Sequence, residues 1–328
     1  MNKDVLRFFK NLLILTAIMF VIDRGVGSIL EYYFKKQPMG DSAAFAHALD
    51  NPTEDILFYG SSRAVHTYDC NIFTDSLGLS AYNCGRNASN ILYHAAIISA
   101  AFQKGTPKAI VLDISPKELS WKSGEAGDDV LSAMILPYIT TNKNFEALAK
   151  DLFPKELIKA KISKLYTYNS MIASIIRNSS RTKNDNINGY QPLHGNNVQE
   201  DPKAVDAAKS DVSTYATEKL EFFVKTVTDH HVPLIVIISP IYALPAAATP
   251  SMIETKKILD KYNVELWDYS YDTAFIKREY FYDLVHLNAK GADLFSSLIA
   301  SRMKEIGIIK KDTSLISEKK PAEVIQDK

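Results

Sequence analysis

The feature that most constrains the fold of this chain is an alternation of apolar runs and helical segments over residues 56–114. Short, mainly apolar runs predict strands at Ile56–Tyr59, Ser80–Cys84 and Ala109–Ile114. Segments predicted to be helical lie between them, at Cys70–Leu77 and Ala88–Gln103. Because a β-α-β-α-β order needs crossover connections, it predicts parallel strands covered by helices and joined in right-handed crossovers.

The alternation stops after residue 115 and returns at Val212. The stretch between them, about residues 116–211, combines helical segments with a polar part rich in Asn, Gly and Ser. We interpret it as an insertion above the sheet, where loops commonly carry specificity. Later elements are predicted as strands at Leu234–Ser239 and Val264–Trp267 and a final helix from Asn288 to Ile306. The predicted fold class is α/β, a three-layer α/β/α sandwich with a parallel, flavodoxin-like sheet, a helical insertion and an N-terminal membrane helix.

The N-terminal stretch carries the second strong signal. The run Leu12–Ile22 is apolar apart from one threonine, but it is shorter than the roughly 20 residues that a membrane-spanning helix needs. The stretch Phe8–Phe34 is long enough if Asp23 and Arg24 lie near the far interface of the bilayer. We therefore predict a membrane anchor over residues 1–36. An amphipathic helix packed on the domain and a cleaved signal peptide are the alternatives.

Basic residues in front of the apolar run predict the orientation of this anchor. Lys3, Arg7 and Lys10 favour an N-terminus in the cytoplasm. The prediction is a single pass through the cytoplasmic membrane, with an extracytoplasmic (periplasmic) domain over residues 37–309. The tail, residues 310–328, mixes charges with Ser and Pro and is predicted to be disordered.

A serine follows the first predicted strand. Gly60 permits a tight turn there, which places Ser62 at the carboxyl end of the strand, where open α/β sheets bind ligands. Such a hydroxyl is a candidate nucleophile when a base is available. Asp283 and His286 stand just before the last helix, for which Asn288 is a good N-cap. Their spacing lets the carboxylate accept from Nδ1–H and leaves Nε2 as a base, which is the arrangement of a catalytic triad.

The order of three stretches resembles the SGNH (GDSL-like) hydrolase superfamily: Gly60-Ser61-Ser62, Gly85 after the second strand, and Asp283 to Gly291. The resemblance implies that Ser62 is the nucleophile and that Asp283 and His286 complete the triad. It also implies that the backbone N–H groups of Ser62 and Gly85 form the oxyanion hole. The Gly-Ser-Ser variant looks more like membrane-anchored SGNH-like envelope proteins, including the DltD-like acyl-transfer proteins.

The resemblance covers roughly residues 55–115 and 212–306, and it fails at the third strand. The family usually has Gly-x-Asn-Asp there, and the Asn side chain donates to the oxyanion. This chain has Leu112-Asp113-Ile114-Ser115-Pro116 instead. A third donor is therefore missing or comes from Ser115 or Asn87.

Two side chains near the nucleophile have open roles. Arg63 is a candidate substrate-binding residue for an anionic group, or it forms an ion pair with Asp113, which we favour slightly. His66 is a weaker candidate for the base, because only Asp69 is placed to orient it. The turn is also close to the G-x-S-x-G elbow of α/β-hydrolases, but that fold places its nucleophile after several strands.

Composition bears on partners and cofactors. Lys+Arg and Asp+Glu number 38 each, so nothing indicates a nucleic-acid partner, which normally needs a basic face. The two cysteines, Cys70 and Cys84, form no CxxC motif and have no neighbouring His cluster, so no metal site and no cofactor are predicted. They form one disulfide in an oxidising compartment, or they are two buried thiols.

The sequence therefore predicts a serine-dependent ester hydrolase or O-acyl (acetyl) transferase that works through an acyl-serine. With water as acceptor the enzyme is an esterase, and with a sugar hydroxyl it is an acyltransferase. The expected substrate is an acylated carbohydrate or another ester of the cell envelope, with envelope biosynthesis proteins as candidate partners. A non-catalytic glycan-binding protein and a scaffold of an envelope assembly are the alternative functions.

Overall fold

The computed structural model describes residues 3–37, 41–50, 52–121, 128–179, 188–203, 211–244 and 246–307. The strands are β1 (Ile56–Gly60), β2 (Ala81–Asn83), β3 (Ala109–Asp113), β4 (Leu234–Ile238) and β5 (Leu266–Asp268). The described helices are α1 (Lys3–Lys35), α2 (Asp41–Asp50), α3 (Ser62–Thr67), α4 (Cys70–Leu77), α5 (Ile91–Ile97), α6 (Asp128–Ile135), α7 (Lys143–Leu152), α8 (Pro154–Ile162), α9 (Lys164–Tyr168), α10 (Ile172–Ser179), α11 (Thr214–Asp229), α12 (Pro250–Lys261) and α13 (Ala289–Glu305).

The strands form one five-stranded sheet in the order β2-β1-β3-β4-β5. Every neighbouring pair is parallel. The register pairs Gly60 with Asp113 and Asp113 with Ile237, so β1, β3 and β4 end at the same edge. This strand order is the flavodoxin-like one, in which ligands bind at the carboxyl ends near the point where the order reverses. The predicted α/β fold class is confirmed.

Alternate residues of the strands fill two separate apolar cores, because successive side chains of a strand point to opposite faces. Leu57, Leu112 and Val236 belong to the core that includes residues of α5, α11 and the insertion. Phe58 and Val111 belong to the core that includes residues of α4 and α13. The sheet is therefore the middle layer of the predicted three-layer sandwich.

The helix predicted at Ala88–Gln103 differs from the one observed. Asn90 caps α5 by accepting a hydrogen bond from the backbone N–H of Leu92 at 3.1 Å, so the α-helix begins at Ile91. Ala88 has a φ of +56°, a left-handed conformation that cannot continue into a right-handed helix. After Ile97 the chain tightens into a 3₁₀ helix that ends at Phe102.

The N-terminal helix α1 is long and apolar enough to cross a membrane by length and composition. Its first two turns and the whole apolar run are exposed, and its second half packs on α9 and α10 of the insertion. The boundary that we predict after residue 36 is not a break in packing, because Phe34 is buried at 2% exposure in the same core as the domain.

The two cysteines are unbonded thiols in this structure. Cys70 and Cys84 are both buried, and the Sγ atom of Cys70 lies 3.3 Å from the carbonyl oxygen of Asn188. Burial raises the pKa of both thiols. The disulfide that we considered is not present, and the alternative of two buried thiols is the one observed.

Gly60 gives a direct test of this fold. Its φ is +148°, and an added Cβ would lie 2.6 Å from the carbonyl oxygen of Asp113 and 2.8 Å from the Cβ of Ala64. We expect Gly60→Ala to lower the free energy of unfolding by about 1–3 kcal/mol, because the backbone would be strained and crowded. Urea denaturation of the detergent-solubilised chain would measure the loss. Gly105→Ala is the control, since nothing lies within 4 Å of its added Cβ, and an equal effect of both changes would contradict the prediction.

Candidate active site

The structure brings Ser62, His286 and Asp283 together. Ser62 is the first residue of α3, directly after the turn that ends β1. Its Oγ lies 2.7 Å from Nε2 of His286. The other ring nitrogen, Nδ1, lies 2.9 Å from Oδ2 and 3.0 Å from Oδ1 of Asp283. The chain of contacts therefore runs from hydroxyl to imidazole to carboxylate, as a nucleophile, base and orienting acid require.

The loop before α13 fixes the orientation of the acid. Oδ1 of Asp283 accepts hydrogen bonds from the backbone N–H groups of Val285 and His286, each at 2.9 Å. Partial burial raises the pKa of Asp283, but the hydrogen bonds from the His286 side chain and the two backbone N–H groups outweigh it. The pKa is lowered as a result, so the carboxylate is charged at neutral pH and holds Nδ1 of His286 in its protonated form.

Helix α13 begins where the sequence predicts. The side chain of Asn288 accepts from the backbone N–H of Gly291 at 3.0 Å, as an N-cap does. The amide nitrogen of Asn288 also donates to the carbonyl oxygens of Glu279 at 2.9 Å and Phe281 at 3.3 Å. These bonds close the loop that carries Asp283 and His286.

Arg63, the residue after the nucleophile, is turned into the protein. It is 6% exposed, and its Nε lies 3.5 Å from Oδ1 of Asp113. Its guanidinium also donates to Oγ of Ser239, with Nη2 at 2.7 Å, and to the Ser239 carbonyl. The hydroxyl of Tyr68 donates to Oδ2 of Asp113 at 2.7 Å. Of the two roles considered for Arg63, the ion pair is therefore the one observed, and the role in substrate binding stays a prediction.

Asp113 is the partner that makes this pair costly to break. Its side chain is fully buried at the end of β3. Burial raises the pKa of Asp113, and Arg63 and Tyr68 only partly offset that effect. A buried carboxylate with these partners keeps α3 attached to the ends of β3 and β4.

Gly85, whose backbone N–H is predicted to serve the oxyanion hole, lies beside Asn83 and the turn that carries Ser62. Its backbone N–H donates to Oδ1 of Asn83 at 3.0 Å, so this donor is already engaged. An added Cβ at Gly85 would lie 3.1 Å from Ala64 Cβ and from the Gly60 carbonyl. The glycine is needed here for close packing against the turn that carries Ser62.

The other expected donors have different positions. Ser62 is the first residue of α3, so its backbone N–H has no acceptor within the helix. This N–H can therefore donate to an oxyanion. The backbone N–H of Ser115 donates to the carboxylate of Glu118 at 3.1 Å, so this N–H is already engaged. Asn87 lies in the turn that precedes α5 and stays a prediction.

His66 lies beside His286 and contacts the stretch that contains Gln191. Its Nδ1 lies 2.6 Å from the carbonyl oxygen of Gln191, and its ring stands edge-on to that of His286, with centroids 5.6 Å apart. Asp69, the carboxylate considered as its partner, instead caps α4 by accepting from the N–H of Asn71 at 2.9 Å. His66 is thus a neighbour of His286, and Asp69 has a different role from the one considered.

Sequence reasoning missed two elements that hold the site. Asn83 is fully buried, and its Nδ2 donates to the carbonyl oxygens of Ala64 at 2.8 Å and Tyr68 at 3.2 Å. It therefore ties the end of β2 to α3. A buried Asn at the end of a predicted strand is the only signal that could have indicated this role.

The second missed element is a strap, defined here as residues 188–198. Its backbone meets β2, α3 and the loop that carries Asp283 and His286. The N–H···O bonds run from Asn83 to Asn188, from Gln191 to Val65, from Ala289 to Leu193 and from Asn197 to Tyr282. The sequence predicts this stretch only as part of the polar region of the insertion. The strap connects the helix that carries Ser62 to the loop that carries His286, and the Asn188-Gly189 pair, typical of turns, was its only sequence signal.

Within the described ranges, no three His, Cys, Asp or Glu side chains form a group that could hold a metal ion.

Substitution of Arg63 separates its two interpretations. We expect Arg63→Met to lower the free energy of unfolding by about 3–5 kcal/mol, because Asp113 would lose its buried cation. The control is Lys108→Met, whose exposed pair with Asp55 spans 3.1 Å and should contribute at most about 1 kcal/mol. Urea denaturation in detergent measures both. An Arg63→Met protein of unchanged stability that binds an anionic ester more weakly would contradict the structural role.

No family model matches the chain, and no curated protein sequence matches it. Among solved structures, a two-domain esterase active on acetylated mannans is 12% identical with a TM-score of 0.40, and the match covers 82% of this chain and 53% of that one. A GDSL-like lipase from Bacteroides thetaiotaomicron is 8% identical with a TM-score of 0.35, covering 76% and 88%. The SGNH-hydrolase family esterase AlinE4 is 11% identical with a TM-score of 0.29, covering 76% and 95%.

The chain therefore spans about half the length of the mannan-active esterase. None of these three structures is described as a DltD-like protein. The lipase is described as GDSL-like and AlinE4 as a member of the SGNH-hydrolase family. Each of the three TM-scores is below 0.5, so no activity of this chain is inferred from these matches.

Proposed function

We propose that the chain is a serine-dependent ester hydrolase or O-acyltransferase, anchored in the membrane, that acts on an acylated carbohydrate or another ester of the cell envelope. The observation that carries the proposal is the contact of Ser62 Oγ with Nε2 of His286 at 2.7 Å, continued to Asp283 at 2.9 Å. The position of this triad at the carboxyl edge of a parallel sheet also supports it.

The first half of the reaction transfers the acyl group to the protein. Ser62 Oγ attacks the ester carbonyl carbon while its proton passes to Nε2 of His286, and Asp283 stabilises the imidazolium. The carbonyl C–O bond to the alcohol then breaks. The departing alkoxide takes the proton from Nε2, and the acyl group remains on Ser62 as an ester.

The second half removes the acyl group from Ser62. A water molecule or a sugar hydroxyl gives its proton to Nε2 of His286 and attacks the acyl-serine carbonyl. The bond to Ser62 Oγ breaks, and the proton returns to that oxygen. Water yields a free acid, and a sugar hydroxyl yields a new ester.

The oxyanion donors set the expected rate. The backbone N–H of Ser62 is one donor to the oxyanion. The backbone N–H of Gly85 becomes a second donor only when it releases Oδ1 of Asn83 and donates to the oxyanion instead. Asn87 is the other candidate donor. One missing donor typically costs a factor of about 10²–10³, so slow turnover is expected. Because the backbone N–H of Gly85 already donates to Asn83, it also supports a second candidate function. This is a non-catalytic glycan-binding or scaffold protein with the same fold.

The exposed apolar surface of α1 supports the proposed membrane anchor. Its large apolar side chains from Val5 to Ile22 are 41–73% exposed, and such a surface is stable in lipid rather than in water. With basic residues in front, the proposed topology is a single pass with the domain outside the cytoplasm.

Ester hydrolysis tests the triad. We expect Ser62→Ala and His286→Ala each to lower p-nitrophenyl acetate turnover by about 10³-fold or more, because the members of a triad act as a unit. Spectrophotometric assay of the full chain in detergent measures this. Ser61→Ala is the matched control and should keep its activity, since Ser61 is the N-cap residue and makes no side-chain cap hydrogen bond. Equal rates in all four proteins would exclude triad-dependent turnover and leave the non-catalytic function.

A further inference from the structure

The joint between α1 and α9 is built from directional contacts. The carboxylate of Asp23 accepts hydrogen bonds from the backbone N–H groups of Lys164 at 2.9 Å and Leu165 at 3.2 Å. It also accepts from the hydroxyl of Ser163, the N-cap residue of α9. An acidic side chain of one helix thus satisfies the first N–H groups of another.

The contact continues along the second half of α1. An added Cβ at Gly27 would lie 2.8 Å from Lys164 Cγ and 2.9 Å from the backbone N of Leu165, so the two helices touch there. Nζ of Lys164 lies 2.7 Å from Glu31. Phe34 packs against Tyr138 and Tyr168 with ring centroids 5.7 and 5.5 Å apart. Because these contacts span several turns, α1 is fixed to the domain.

One end of this joint marks where α1 leaves the domain. The guanidinium of Arg24 lies 5.0 Å from the ring of Phe20 and donates to the carbonyl oxygen of Ile162 at 2.6 Å. Ile162 ends α8 and is 70% exposed, and Ile158, one turn earlier on the same face, is 58% exposed. These two side chains therefore continue the exposed apolar surface of α1 sideways onto the insertion.

The residues around this face fit a lipid surface. Lys155, Lys159 and Lys161 of α8 are exposed beside the two isoleucines. Lys159 pairs with Glu156 at 2.8 Å and Lys161 with Glu146 at 2.5 Å, and both ion pairs are on the surface. Leu157 and Ala160 point the other way and are buried. Lysines beside exposed apolar side chains are typical of helices that lie in the interface of a bilayer, where the charged groups reach the lipid head groups.

We propose that the exposed face of α8, formed by Ile158 and Ile162, rests in the lipid interface beside α1, so that α1 holds the domain at a fixed orientation on the membrane. This inference rests on the proposed membrane anchor and is independent of the esterase activity. A lipid bilayer is the partner that fits this face of α8, because the face is continuous with the apolar surface of α1. The contacts between α1 and α9 keep the domain from moving away from the bilayer.

The test uses the full chain in vesicles of phosphatidylcholine and phosphatidylglycerol that contain a head-group spin-labelled lipid. An Ile162→Cys variant carries a polarity-sensitive fluorophore, and Ile253→Cys is the matched control on α12, where Ile253 is 50% exposed. The native thiols of Cys70 and Cys84 are buried and stay unlabelled under native conditions. We expect severalfold stronger quenching and bluer emission at position 162 than at position 253.

The outcomes separate this proposal from the anchor. Equal quenching at both positions, in protein that stays with the vesicles after alkaline washing, would overturn the seating of α8 and leave the anchor intact. Release of the protein by alkaline washing would overturn both. A Gly27→Leu change, which forces α1 away from α9, should bring quenching at position 162 close to that at 253; unchanged quenching would overturn the fixed joint.

Discussion

The buried ion pair between Arg63 and Asp113 holds the first turn of α3 to the two central strands, and the position of Ser62 depends on it. Arg63 follows Ser62 directly in the sequence, so its guanidinium cannot move far without moving Ser62. Ser239 after β4 and Tyr68 at the end of α3 complete the hydrogen bonds of the pair. A desolvated pair with several directional partners permits few alternative geometries. Asn83 adds a second fixed point from β2.

Much of this architecture could be predicted from local sequence patterns. Buried parallel strands are short continuous apolar runs, which is why Ile56–Tyr59 and Ala109–Ile114 were found within one residue of β1 and β3. The parallel order places Ser62 at the carboxyl edge of the sheet. Its approach to His286, which lies in the loop before α13, is what the resemblance to the SGNH superfamily implies. The start of α5 was predicted too early, since the left-handed Ala88 gives no signal in the sequence.

The features that escaped prediction are tertiary contacts between distant stretches. Whether the N–H of Gly85 faces an oxyanion or Oδ1 of Asn83 depends on one side-chain conformation, which spacing cannot specify. The strap meets three elements through backbone groups, which leave no trace in residue type. The insertion therefore has two structural roles: the strap joins α3 to the loop that carries His286, and α9 receives the N-terminal helix.

The central claim is that Ser62 is a nucleophile activated by His286. The most direct measurement is intact-protein and peptide mass spectrometry after incubation of the full chain with a fluorophosphonate, which phosphonylates activated serines. The account predicts one adduct on the peptide that contains Ser62, absent from Ser62→Ala and strongly reduced in His286→Ala. No adduct on the native chain, or an adduct on Ser61 that persists in Ser62→Ala, would contradict it.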